Sequence, residues 1–385
     1  MKKKISLCIA AFVATICFIS CADIFSTGER DSITVTVPAF SASSGSSRAA
    51  NTDNTFSKWN VYAFLFGNDI DSDVAGMIPY FIGEGDNNQF IEVQDLEAIP
   101  SIAQSGLLDA VIYRGVNFAH DVSVQFKRVK QGTEYFVCLA ITYDDKVVFG
   151  GINEGSKIER STITDEVHAS TITAQAGVND VALTLKKNEY SGVYFLSQSG
   201  TPGNEDVSLE ESTPKKPASV EWISKKNFDN AVIILTEDVS LEDFHKESED
   251  PNNKVTVMSL PGKKHTLTIS SELILENATL SLIDVALVYS NPTSASVGSV
   301  QGDRVNLYGY LEVGGDVTIS GFTIALGLQQ LEKIFIVSPL ESRPVASVTI
   351  PVGDKPLSDF LENKTGNTID YTGYFDITDP QKIRG

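Results

Sequence analysis

Cysteine is scarce: the 385 residues hold four, Cys8, Cys17, Cys21 and Cys138. Three fall within the first 21 positions, which leaves Cys138 alone in the apolar run Tyr135–Tyr143. No disulfide framework is available to the body of the chain, so its fold must stand on packed cores. Cys138 itself reads as a small buried hydrophobe, not a reactive thiol. Histidine is equally sparse, with His120, His168, His245 and His265 and no H-x-x-x-H pair, which leaves zinc hydrolysis unsupported. Basic residues are in deficit, 30 Lys and Arg against 50 Asp and Glu, for a net charge of −20. Such a surface repels nucleic acid and anionic headgroups, so no nucleic-acid partner is expected. Neither a G-x-S-x-G elbow nor a glycine-rich phosphate loop before a helix is present. Glycosidase chemistry needs two acids at a set separation, and fifty acids single out no pair.

What the chain does have begins at its start. Lys2, Lys3 and Lys4 precede an apolar run from Ile5 to Ile19, then Ser20 and Cys21. Charged, greasy and small residues in that order make an export signal. The run is short for a membrane span, which needs about 20 apolar residues, and no stop-transfer pattern follows. The tetrapeptide Phe18-Ile19-Ser20-Cys21 resembles the lipobox of bacterial lipoproteins, with Phe18 where Leu is usual. The resemblance implies removal of residues 1–20, lipidation of Cys21 and attachment to the membrane through acyl chains. Ala22 after the cysteine favours the outer membrane by the sorting pattern of that family. A plain secretory signal cut near Ala22 is the alternative. The lysines carry the only charges before Cys21, so the remainder is more acidic still.

Residues 21–31 form a short tether. Ser32–Val37 alternates with period two and ends at Pro38, an edge strand. The aromatic and β-branched Lys58–Phe66 reads as a buried strand. Asp69, Asp71 and Asp73 then alternate like the opening of a calcium loop. Val74 and Tyr80 stand where an EF-hand needs glycine and a carboxylate, so a solvated turn is expected and a cation site is the weaker candidate. One helical turn is expected near Pro100–Gly106. Strands follow at Asp121–Lys127, Glu134–Tyr143 and Lys146–Phe149, with a last hairpin from Thr171–Ala176 and Asp180–Leu185. Strands at this spacing argue a sandwich over residues 32–199. The segment VKQGTEYFVCLAITYDDKVVFGG with ITAQAGVNDVALTL resembles the late strands of transthyretin-like or Ig-like accessory domains of bacterial surface proteins. That implies a spacer or binding module without catalysis.

Residues 200–219, rich in Pro, Gly and Ser, read as a linker. Beyond them a triplet of apolar, hydroxyl, apolar recurs: Val239-Ser240-Leu241, Leu267-Thr268-Ile269, Leu280-Ser281-Leu282, Val317-Thr318-Ile319 and Val348-Thr349-Ile350. Ala278–Leu287 aligns with Gly315–Ile324 at an offset of 37. The apolar members should point inward and the hydroxyls outward. Each piece is too short to bury its own face, so stacking on copies of itself is the route to a core. Leu311–Ile324, LEVGGDVTISGFTI, resembles coils of the pectate-lyase-like β-helix superfamily, and the likeness extends over about residues 220–350. Alternation alone also admits an antiparallel sandwich here.

The expected fold class is therefore all-β: an N-terminal β-sandwich followed by a short, loop-interrupted right-handed parallel β-helix over residues 220–385 with a C-terminal cap. No catalytic residue and no cofactor is singled out. Trp222, Tyr308 and Tyr310 are candidates for ligand contact by ring stacking. The expected role is a non-catalytic, lipid-anchored surface protein serving adhesion or display, with a host or matrix protein or a glycan as partner. A carbohydrate-binding or polysaccharide-degrading protein is the alternative.

Overall fold

The computed structural model describes residues 31–40, 58–67, 72–102, 106–127, 129–153, 158–160, 167–169, 172–188, 191–198, 230–248, 250, 252–290, 305–327, 330–350 and 356–378. Cys21 with the whole signal, Asp69, Asp71, the 200–219 stretch and Trp222 lie outside them. Among the described residues strand makes up 58% and helix 10%, so the fold is all-β.

The first half contains β1 (Ser32–Val37), β2 (Trp59–Gly67), β3 (Leu107–Arg114), β4 (Val122–Lys127), β5 (Glu134–Tyr143) and β6 (Lys146–Asn153). Short strands β7 (Ile158–Arg160), β8 (Val167–Ala169), β9 (Ile172–Thr173), β10 (Val178–Val181) and β11 (Leu183–Lys187) complete it. One sheet has the order β10-β1-β4, and the facing sheet has β11-β6-β5-β2-β3 with β9 on the end of β5. β5 is apolar on both faces because both are covered. Tyr135, Val137, Leu139 and Ile141 meet Ile33, Val35, Val124 and Phe126 of the small sheet. Phe136, Cys138 and Ala140 meet two helices, α1 (Ser72–Phe81) and α2 (Val93–Ile102), through Ile78, Phe81, Leu96 and Ile99. Cys138 is fully buried, and burial pushes its thiol well above the usual range.

Three expectations for this half change. β1 is no edge: it lies between β10, in parallel, and β4, antiparallel. The expected final hairpin does not form, since β9 pairs with β5, β10 with β1 and β11 with β6. Residues Ser72–Phe81, Asp73 among them, are helix rather than a solvated turn. Its buried pair Ile78 and Phe81, like Leu96 and Ile99 in α2, recurs every three residues, which places both on one helix face.

The second half comprises β12 (Val193–Leu196), β13 (Val232–Leu235), β14 (Val239–Glu247), β15 (Lys254–Ser259), β16 (His265–Ile283) and β17 (Val285–Tyr289). It continues with β18 (Val305–Gly315), β19 (Thr318–Ser320), β20 (Ile324–Ala325), β21 (Leu331–Leu340), β22 (Ala346–Thr349), β23 (Leu361–Asn363) and β24 (Phe375–Ile377). Every pairing among them is parallel. A ten-stranded sheet runs β12-β13-β15-β16-β18-β21-β23, with β14, β17 and β19 attached through β16, and β20-β22-β24 form a smaller sheet. Long β16 carries three sides in turn: its start pairs with β14 and β17, its middle with β14 and β18, its end with β15 and β18. Successive coils of a β-helix stack in this way. Val232, Thr256, Ser281, Glu312, Phe335 and Glu362 face one another in order, 23 to 31 residues apart along this side. The inward row one position on, Ile233, Val257, Leu282, Val313 and Ile336, is buried throughout.

The recurring triplets occupy more than one side. Leu280-Ser281-Leu282 stacks on Leu311-Glu312-Val313, whereas Thr318-Ile319 stacks on Ala286-Leu287. The spacing between equivalent coils is thus 31 to 32 residues, not 37. Two of the hydroxyls expected outside, Ser281 and Thr349, are buried.

Ser281 is buried because the outer face of the first coils is not exposed. Val193, Val232, Ile234, Met258 and Leu260 point away from the coil interior and belong to the same core as Trp59, Phe118 and Ile141 of the sandwich. Phe195 and Phe149 extend the contact, with ring centroids 5.9 Å apart, and Lys146 Nζ donates to the Asn230 carbonyl at 2.7 Å. The parallel stack starts at Val193, before residues 200–219, and the sandwich lies against its first coils.

Candidate functional site

With the first coils covered, the outer face of the later coils remains open. Parallel register sets two adjacent rows on it: Lys254, Thr279, Tyr310, Lys333, and Thr256, Ser281, Glu312, Phe335, Glu362. Thr256, Thr279 and Ser281 are buried, and Tyr310, Lys333, Phe335 and Glu362 are only partly buried. The Tyr310 and Phe335 rings lie 5.6 Å apart at 31°, and Lys364 Nζ stands 3.4 Å over the Phe335 ring. Cation and ring attract through the ring quadrupole.

The charges around these rings hold one another. Lys333 Nζ reaches Glu362 Oε2 at 2.9 Å, which holds the Glu362 carboxyl below its usual range. Lys254 pairs with Glu312. The Tyr310 hydroxyl donates to Glu332 Oε2 at 2.8 Å, and that bond raises its pKa. A carboxylate engaged by a lysine, or a phenol held protonated by a carboxylate, favours recognition over proton transfer.

Tyr308 and Tyr310 share parity along the chain. Between them the chain turns a corner at Gly309, whose φ is +140° and whose added Cβ would meet the Ala278 carbonyl oxygen at 2.3 Å. Tyr308 therefore faces Glu276 on the side that carries the middle of β16, 37% exposed, while Tyr310 faces Thr279 and Lys333. Phe335, Lys333 and Glu362 escaped the sequence reading. Phe335 sits in the run Leu331–Leu340, where β-branched neighbours hide which apolar residue faces out, and only pairing with Glu312 settles it.

A second concavity lies on the helical side of the sandwich. A cleft of about 620 Å³ is lined by Tyr80, Phe90, Asn88, Gln89, Glu92 and Asn188 among others. Phe90 packs against Gly83, where a Cβ would come within 2.1 Å of the ring. Rings beside amides and carboxylates are the side chains that stack on and hydrogen-bond to sugars.

Among the described residues, no helix is long and apolar enough to cross a membrane. No family model, curated protein or solved structure matches the chain.

Proposed function

We propose that this chain is a non-catalytic surface protein, lipid-anchored through Cys21 in the outer membrane, that presents the open face of its parallel stack to a protein or glycan partner. The observation that carries the reading is the Tyr310–Phe335 ring pair set among self-paired charges on a rigid sheet. Aromatic anchors held in one geometry with a polar rim are the make-up of a binding patch. The anchor rests on the order of residues from Lys2 to Cys21. Two or more acyl chains hold a protein on a membrane effectively permanently, at ~0.8 kcal/mol per buried methylene.

Glycan binding in the cleft between Tyr80 and Phe90, rather than on the open face of the stack, is the second reading. Cells carrying the native chain, Cys21→Ala, or the double variant Tyr310→Ala, Phe335→Ala separate the parts. Labelled palmitate should enter the native chain and not Cys21→Ala. The double variant should reach the surface normally but lose adherence to matrix-coated wells. Unsaturated product released from acidic polysaccharide by the purified chain would replace the adhesion reading with an enzymatic one.

A further inference from the structure

On the side of the stack that carries the middle of β16, three metal-ligating side chains converge that the sequence keeps apart. Asp243 and His245 are two residues apart on β14, so both point outward while Phe244 and Lys246 between and after them are buried. Glu272 comes from β16, 27 residues beyond His245. It stands opposite Asp243 because the register shifts there: Leu241 faces Ile269, but Asp243 faces Glu272, one residue further than regular pairing gives. Without that bulge Ser271 would oppose Asp243, and a hydroxyl would replace the carboxylate.

The geometry is already close to a coordination shell. His245 Nε2 lies 2.9 Å from Glu272 Oε2. The Glu272 backbone N–H donates to Asp243 Oδ1 at 3.0 Å, which orients that carboxylate. One donor atom from each residue lies within 4.8 Å of the others. Ligands about 2.1 Å from a tetrahedral ion stand about 3.4 Å apart, so small side-chain rotations suffice. Neither carboxylate has a Lys or Arg partner among the described residues. Two uncompensated negative charges beside one imidazole suit a dication.

We propose that Asp243, His245 and Glu272 bind a divalent first-row transition ion, with one coordination position left facing solvent. An imidazole with two carboxylates and no thiolate suits zinc and its neighbours, whereas calcium and magnesium take oxygen alone. Three protein ligands with an open position are the arrangement in which an ion also accepts an outside ligand. The inference is independent of the role proposed for Tyr310 and Phe335.

Calorimetric titration of the full chain with Zn²⁺, its accessible thiols blocked by alkylation, tests it. The native chain should take up one equivalent that Asp243→Asn, Glu272→Gln and His245→Ala each weaken at least tenfold, with His120→Ala unchanged. Zn²⁺ should raise the melting temperature of the native chain but not of Glu272→Gln, which keeps its shape and its backbone N–H. Zn²⁺ uptake equal in the native chain and His245→Ala, or no uptake by the native chain, overturns the site. An unaltered far-UV spectrum of the variants shows that the loss is of ligands and not of fold.

Discussion

Asp284 offers the sharpest test of the stack's energetics. It sits at the corner between β16 and β17 with φ at +53°. Its Oδ1 accepts the Asp316 backbone N–H at 2.8 Å, and Lys264 Nζ spans Asp316 and Ser342 beside it. Burial is the main cause that pushes its pKa from 3.8 to about 6; the bond from Asp316 opposes, and the Glu341 and Asp316 charges add. The sign follows by linkage. Between pH 4 and 6 the folded chain holds a proton that the unfolded chain has released, so stability falls as pH rises through that window. A shift of about two units amounts to about 3 kcal/mol, present below pH 4 and lost above pH 6. Asp284→Asn keeps the acceptor, tolerates the left-handed conformation and never ionises. Urea unfolding at pH 4 should give equal stabilities for native chain and variant. At pH 8 the variant should be more stable by up to about 3 kcal/mol. All other titrating groups are common to both chains, so the difference isolates this one. A variant less stable at pH 8, or an offset identical at both pH values, would refute the reasoning.

The remaining predictions concern packing. Gly309→Ala drives a methyl into the Ala278 carbonyl oxygen at a φ that L residues avoid, and should cost more than about 1 kcal/mol in urea unfolding. Ser281 is fully buried with no hydrogen-bond partner for its hydroxyl, so Ser281→Ala should raise stability by about 1 kcal/mol, read as a higher urea midpoint at unchanged slope. Ile234→Ala opens a cavity where sandwich and stack meet, and should cost about 2–5 kcal/mol. Because that core is shared, calorimetry should show one transition in the native chain; two well-separated transitions would mean that the halves are energetically independent.

The sequence announces stacking in its second half because apolar–hydroxyl–apolar triplets at Val239, Leu267 and Val317 can bury nothing alone, and those three do lie on one side of the stack. The register was not legible. Strand alternation has a period of two, so an offset of 37 and the observed 31 at Ser281 leave the same residues facing in. α1 escaped the sequence reading, and α2 was expected only as one turn near Pro100–Gly106, because Pro79 and Pro100, which usually end helices, sit inside them near their C-terminal turns. Tyr310 was visible as an outward aromatic, but Phe335 and Glu362 join it only through pairing across coils of unequal length. For the same reason a search for histidines spaced along one element passes over Asp243, His245 and Glu272, which are adjacent only across strands.

The outward apolar residues of the first coils explain why the two halves form one body. A free-standing stack has water on its outer faces, and there Val232, Ile234 and Met258 would each forgo roughly 1.5–3 kcal/mol of burial. They are buried because the sandwich face carrying Trp59, Phe118 and Phe149 covers them. Along the same outer rows Thr279 and Ser281 are buried, whereas Tyr310, Lys333, Phe335 and Glu362 on later coils are partly open. Which outer surface stays open is therefore set by where the sandwich docks, not by the coils themselves. A change at the shared core, far from Tyr310 in sequence, acts on the open face by uncovering more of the same rows.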